Sequence, residues 1–375
     1  MTQDIIIEQH DRADWKAWLW EEKPLWLAVL TGLLAYELSP LLMEGERWLA
    51  LATAGLLIAA IIGVAIRVAH HAETLAEKVG DPYGTMILTL SAVLVEVIIL
   101  AILMGHNKNP TLARDTIYAA VMLDINGIVG LAALLGGLKH GEQAYNDDSS
   151  RSYGVMILTA VSISMLVPEF IPSEHWHLYS IYTIIAMLLM YSLFVSMQTG
   201  PHSYFFSYNY PQKKRKTPVI PSRRGSRNSA IALLVIGIAL TGALAEVMSG
   251  ALERGLEGLP VPPVFAGIIV AAISASPEIL TALRAAIANH MQPVINIALG
   301  ASLSTVILTV PAVEALALYN GQPFQMAMSP VQTVMMLMTL LVSAINLNDG
   351  ETNAIEGMTH FVLFLTFIML STLGL

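Results

Sequence analysis

Cysteine is absent from all 375 residues. That excludes disulfides, thiol nucleophiles and cysteine-based metal sites. Charge is also scarce: Asp, Glu, Lys and Arg make up 13% of the chain, against about 25% in an ordinary soluble domain. Positive charge is the scarcer sign, with 19 Lys and Arg against 28 Asp and Glu and a formal net charge of −9. Outside one short loop no basic face with interleaved aromatics forms, so nucleic acid is not an expected partner. Neither His-Glu-x-x-His nor Gly-x-Ser-x-Gly occurs. A membrane metalloprotease or a serine hydrolase therefore lacks its chemistry, and no enzyme activity or resident cofactor is expected. The polar, acidic first 23 residues lack the basic n-region and cleavage site of a signal peptide, so the first apolar run is expected to stay as a helix.

Apolar sequence is plentiful: 55% of residues are hydrophobic and the mean hydropathy is +0.64. The chain contains eleven apolar runs, at 24–42, 48–69, 84–104, 116–138, 155–168, 178–197, 229–252, 264–288, 294–318, 328–345 and 355–375. Most reach the roughly 20 residues needed to cross a bilayer. The expectation is an all-α integral membrane protein of about eleven transmembrane helices. The polar stretch 198–228 holds Lys213, Lys214, Arg215, Lys216, Arg223, Arg224 and Arg227. The positive-inside rule puts it in the cytoplasm. Six runs precede it, so the N-terminus is expected inside and the C-terminus outside. This loop fixes orientation; a regulatory or anionic-lipid role is the alternative.

Two stretches of the chain resemble each other. Ala72-Glu73 ends one helix and Glu96 sits mid-run in the next; Ala245-Glu246 ends another and Glu278 sits mid-run in its successor. Each central glutamate is followed by a helix rich in small and polar residues, with Asp124, Asn126, Gly127 and Gly130 in one and Asn296, Gly300, Ser302, Ser304 and Thr305 in the other. The unit is five runs long. Five is odd, so the second copy enters the membrane in the opposite sense, an arrangement used by transporters with a midplane site. The predicted layout is a polar segment 1–23, an extra helix 24–47, a first repeat 48–197, the basic loop 198–228 and an inverted second repeat 229–375.

A carboxylate at the bilayer centre costs about 3 kcal/mol on insertion scales. Neither Glu96 nor Glu278 has a basic partner at its depth; Arg284 is nearly two turns beyond Glu278. One such glutamate could be a protonated side chain hydrogen-bonded across a helix interface. Two at matched positions of two repeats point to function. Pro277, next to Glu278, has no N–H, so carbonyls near Ile273 and Ser274 are freed, and a break or kink is expected there. Two carboxylates with carbonyls and hydroxyls form an all-oxygen site, suited to hard cations such as Ca²⁺. One divalent cation or two protons neutralise the pair, which is the chemistry of an antiporter. His70 and His71, beside Glu73, are either pH sensors or solvated interfacial residues.

The run Phe265 to Glu278, the segment Asn296 to Ser304 and the stretch from Gly80-Asp81-Pro82-Tyr83-Gly84 to Glu96 carry a resemblance to the calcium/cation antiporter superfamily, in particular its bacterial calcium/proton antiporter (ChaA-type) branch. The resemblance implies Ca²⁺ bound by Glu96 and Glu278, by carbonyls near Ala92 and Ser274, and by Ser302, Ser304 and Asn126 as further ligands. It also puts acidic residues at Glu73 and Glu246, which with Asp124 are the proton-pathway candidates. The sequence departs from the family after Glu96, where Val121-Met122 replaces Gly-Ser. Asp124 has no family counterpart, and either carries a proton or faces a polar neighbour. The implied function is exchange of Ca²⁺ for H⁺ across a bacterial inner membrane by alternating access, with Na⁺ or K⁺ as the alternative cation. Partners are then the cation, protons and the bilayer; oligomeric state is left open.

Overall fold

In hydrocarbon, each backbone N–H and C=O must find its partner within its own segment, which leaves helices as the economical solution for this chain. A computed structural model describes residues 22–38, 47–79, 83–106, 109–208, 227–259, 261–262, 264–321 and 324–375. Residues 1–21, 39–46 and 209–226, which include most of the polar N-terminal segment and most of the basic loop, lie outside the described residues.

The helices are α1 (Lys23–Glu37), α2 (Arg47–Val79), α3 (Tyr83–His106), α4 (Leu112–Met122), α5 (Gly130–His140), α6 (Asp147–Val161), α7 (Trp176–Thr199), α8 (Arg227–Leu256), α9 (Val264–Ser274), α10 (Ser276–Ile287), α11 (Met291–Ser304), α12 (Val310–Asn320), α13 (Pro330–Asn346) and α14 (Ala354–Thr372). A π-helical segment, Leu123–Val129, joins α4 to α5, and another, Thr305–Thr309, joins α11 to α12. With α4–α5, α9–α10 and α11–α12 each counted as one, the described residues form eleven helical units, of which seven are long and apolar enough to cross a membrane, or eight with the bent α9–α10 pair. The fold is the all-α integral membrane architecture expected, with two inverted five-helix repeats after one extra helix. Asn146, Ser329 and Asn353 cap α6, α13 and α14 through their side chains, the Ser329–Gln332 pair as a full capping box.

Burial sorts the crossings. In the spans 112–140 and 291–320, 78% and 67% of the apolar window is buried; in the other long spans the share is at most 33%. The first two therefore form the protein centre, while helices such as α7 turn Leu178, Leu189 and Leu193 outward, as a lipid-facing surface requires. Packing between helices in lipid needs close backbone approach. The α5–α14 crossing achieves it at Gly357, where a Cβ would sit 2.2 Å from the Leu134 nitrogen. The longest pairing joins α2 to α8, the equivalent first helices of the two repeats.

Three boundaries differ from expectation. The helix of the second run continues to Val79, past its apolar stretch. His71 is consequently buried, and its Nε2 lies 3.3 Å from Glu22 Oε2. Glu22 itself is buried and paired with Arg67, so the edge of the polar N-terminal segment docks on α2. The short fifth run is lengthened by the polar turn at its start and by a π and a 3₁₀ turn at its end, giving a helix over 147–170.

Candidate cation site

Local chemistry bends the helix that carries Glu278. α9 and α10 meet at Ala275 with a 57° bend. Pro277 cannot donate to the Ile273 carbonyl, and the Ser276 hydroxyl donates to it instead, at 2.7 Å. The break predicted one turn before Glu278 is therefore present. Glu278 falls in the first turn of α10, where the unpaired N–H groups of a helix N-terminus favour negative charge. The first copy has no such break. α3 runs on through Glu96, and the Ser91 hydroxyl bonds back to the Ile87 carbonyl at 2.6 Å.

Glu96 is 3% exposed and is held by the opposite repeat. Its Oε2 accepts hydrogen bonds from Thr305 Oγ1 at 2.9 Å and from Thr309 Oγ1 at 3.3 Å. Its Oε1 is buried with no partner. Asp124, 2% exposed, accepts from Ser302 Oγ at 3.1 Å. It is close enough to Glu278 and Glu96 to feel both charges, and Glu278 feels Glu96. Asp124 lies in one π segment, and both threonines lie in the other. A π turn misaligns the helix ladder and is frequent at functional sites. Here it occurs at matched places in the two repeats.

Glu96, Asp124 and Glu278 line a cavity of about 760 Å³. Its wall also includes Glu73, Ala92, Ser274, Asn296 and Ser304, but among the described residues no Lys, Arg or His. It extends past Tyr153 and Phe194 to Thr199 at the end of α7 and to Ser203 and Tyr204 in the turn beyond, both exposed. Its mouth is at that end of the bundle. No group of three His, Asp or Glu side chains among the described residues is drawn tightly enough to hold a metal ion.

The structure thus brings together Glu96, Glu278, Ala92, Ser274, Ser304 and Asp124. Ser302 joins them through its bond to Asp124 rather than through the cavity wall. Glu73 is exposed and reaches the cavity edge; Glu246 is exposed and does not line it. Asn126 stands elsewhere. Its Nδ2 donates to Thr339 Oγ1 at 2.7 Å, and its Oδ1 lies 2.9 Å from His360 Nδ1, in a buried contact between α13, α14 and the π segment. Thr309 went unnoticed in the sequence because it has no local signature: its partner is 213 residues away.

The chain matches the description of the sodium/calcium exchanger protein family over residues 49–200 and 229–373. It belongs to that family. The relative y4hA of Sinorhizobium fredii is 31% identical over 93% of this chain and 95% of its own length. The sodium-potassium/proton antiporter ChaA of Escherichia coli is 32% identical over 83% of this chain and 87% of its own length. Among solved structures, the Ca²⁺/H⁺ antiporter protein YfkE superposes with a TM-score of 0.74 over 94% of this chain and 99% of its own, at 19% identity, which speaks to the fold. This member of the exchanger family is a multi-pass membrane transporter, not an enzyme.

Proposed function

We propose that the protein exchanges Ca²⁺ for protons by alternating access, with Glu96 and Glu278 binding either the metal or protons. The observation that carries this reading is a cavity lined by three buried or half-buried carboxylates and by no basic side chain. Such charge must be balanced by a cation or by protons. Carbonyls near Ala92 and Ser274 and the Ser304 hydroxyl supply neutral oxygens beside the pair. The carboxylates stand open to one end of the bundle, so binding is expected to draw them inward around the ion. Low pH on the cavity side protonates the same oxygens and competes with the metal; higher pH leaves them anionic and favours binding. The positive-inside rule, applied to the basic loop, supports a cytoplasmic position for that side, and the membrane is read as a bacterial inner membrane. Na⁺ or K⁺ in place of Ca²⁺ is the second reading, favoured by the 32% identical sodium-potassium/proton antiporter.

The test is flux in proteoliposomes, with Ca²⁺, Na⁺ and K⁺ compared against one pH gradient. Glu96→Gln and Glu278→Gln each remove one charge and one proton site. At about 4 Å and an effective dielectric near 20, a lost charge is worth about 4 kcal/mol per unit of cation charge, so cation affinity is expected to weaken roughly thousandfold or more. Each variant is expected to lose pH-driven flux and remain folded. Native flux in Glu278→Gln defeats the glutamate-pair mechanism; proton-coupled Na⁺ or K⁺ flux with no Ca²⁺ response selects the second reading.

A further inference from the structure

Glu314 has no part in the exchange described above. It lies on α12, 3% exposed, with its Oε2 buried and without a partner. Among the described residues no Lys, Arg or His forms an ion pair with it. Ser180 of α7 is a polar side chain near its carboxyl. α12 packs against α7 and α3. Of the titratable groups on those helices, α7 brings Tyr179 within electrostatic reach of Glu314, and α3 carries Glu96 deeper in the bundle. A leucine would fill this place without leaving a buried carboxyl oxygen unsatisfied, at a cost of about 1–3 kcal/mol or more.

The position of Glu314 is informative. Ser180 stands near the start of α7, and the cavity wall includes Thr199 at its finish. At 1.5 Å per residue those two points are about 28 Å apart, close to the thickness of a bilayer core. One helical rod runs between the two ends: Thr305 lines the cavity, Thr309 is fully buried beyond it, and Glu314 lies about 7.5 Å further along the axis and about 140° around it. The same two threonines bind Glu96.

Building on the proton-coupled exchange proposed above, we propose that Glu314 is a second proton-binding site, serving the membrane side opposite the cavity mouth. Its carboxyl O–H bond breaks as the proton passes over intervening water to a Glu96 oxygen that has lost its cation, where a new O–H bond forms. The Glu314 carboxylate is then reloaded from the far side past Ser180.

The experiment uses the full chain in oriented proteoliposomes, as wild type, Glu314→Gln and Glu314→Asp. It measures cation flux against pH on the side away from the cavity, together with thermal stability. Glu314→Gln is expected to lower proton-driven flux about a hundredfold, the low end for loss of a proton-transfer group, and to flatten the dependence on pH at that side. Glu314→Asp is expected to restore most of both, with thermal stability unchanged in each variant. Native flux and pH profile in Glu314→Gln overturns the proposal. So does equal loss in both variants with a lowered melting temperature, which assigns Glu314 to packing. A wild type without proton-driven flux overturns the exchange reading itself, an outcome distinct from the other two.

Discussion

Two hydroxyls on one π turn converge on a single oxygen of Glu96. A hydroxyl that donates to a carboxylate orients it and supports the anionic form that holds a cation. Thr305→Val keeps the shape of the side chain and removes the shorter of the two bonds. Cation affinity is expected to fall about tenfold, equivalent to about 1.4 kcal/mol, with no change in maximal turnover; titration calorimetry with the transported cation measures it. Asn126 makes the contrasting case. Its amide joins Thr339 and His360 away from the cavity. Asn126→Ala leaves His360 unpaired in the interior and Thr339 with only its contact to the Met122 sulfur, and is expected to cost about 1–3 kcal/mol of stability while leaving cation affinity near native. A normal melting temperature with weakened cation binding would show instead that Asn126 serves the ion.

At the scale of elements, the repeats are alike in sequence pattern and unlike in backbone. α3 is continuous through Glu96, whereas α9 and α10 are separate helices meeting at 57° before Glu278. The cause is one imino acid. Pro277 removes the N–H that would close the turn on Ile273, and a serine hydroxyl takes its place. Pro277→Ala restores the donor and lets the two half-helices straighten, which withdraws Glu278 from the N-terminal turn that favours its charge. The variant is expected to melt at or above the native temperature and to transport several-fold more slowly. Native transport by Pro277→Ala would mean that the break is dispensable to the cycle.

For the whole molecule, an odd number of crossings per repeat sets the second copy upside down against the first, and the two most buried spans, 112–140 and 291–320, meet at the centre as mates. The ends of α7 then face opposite sides of the membrane. The natural absence of cysteine makes this directly measurable. Single cysteines at Glu174→Cys and Tyr204→Cys, both at exposed positions, are expected to react with an impermeant thiol reagent from outside and from the cytoplasm respectively. Labelling of both from one side defeats the eleven-crossing inverted topology.

The sequence alone determined what the bilayer enforces. Lipid cannot hydrogen-bond a backbone or solvate a charge, so span count, helical class, the two mid-run glutamates and the Pro277 break were all legible as local violations of an apolar pattern. Asp124 and Asn126 show where that legibility stops. They are two residues apart on one polar helix, Asn126 read as a further metal ligand and Asp124 as a proton-pathway candidate, yet Asp124 lines the cavity and Asn126 packs against α13 and α14. Residues two apart on a helix stand about 200° from one another, so both cannot face the cavity, and only the tertiary structure decided which face points inward. The same holds for Thr305, Thr309 and Ser302, whose carboxylate partners belong to the other repeat. Those bonds exist because inversion brings the two halves face to face, and that is a property of the folded chain rather than of any segment within it.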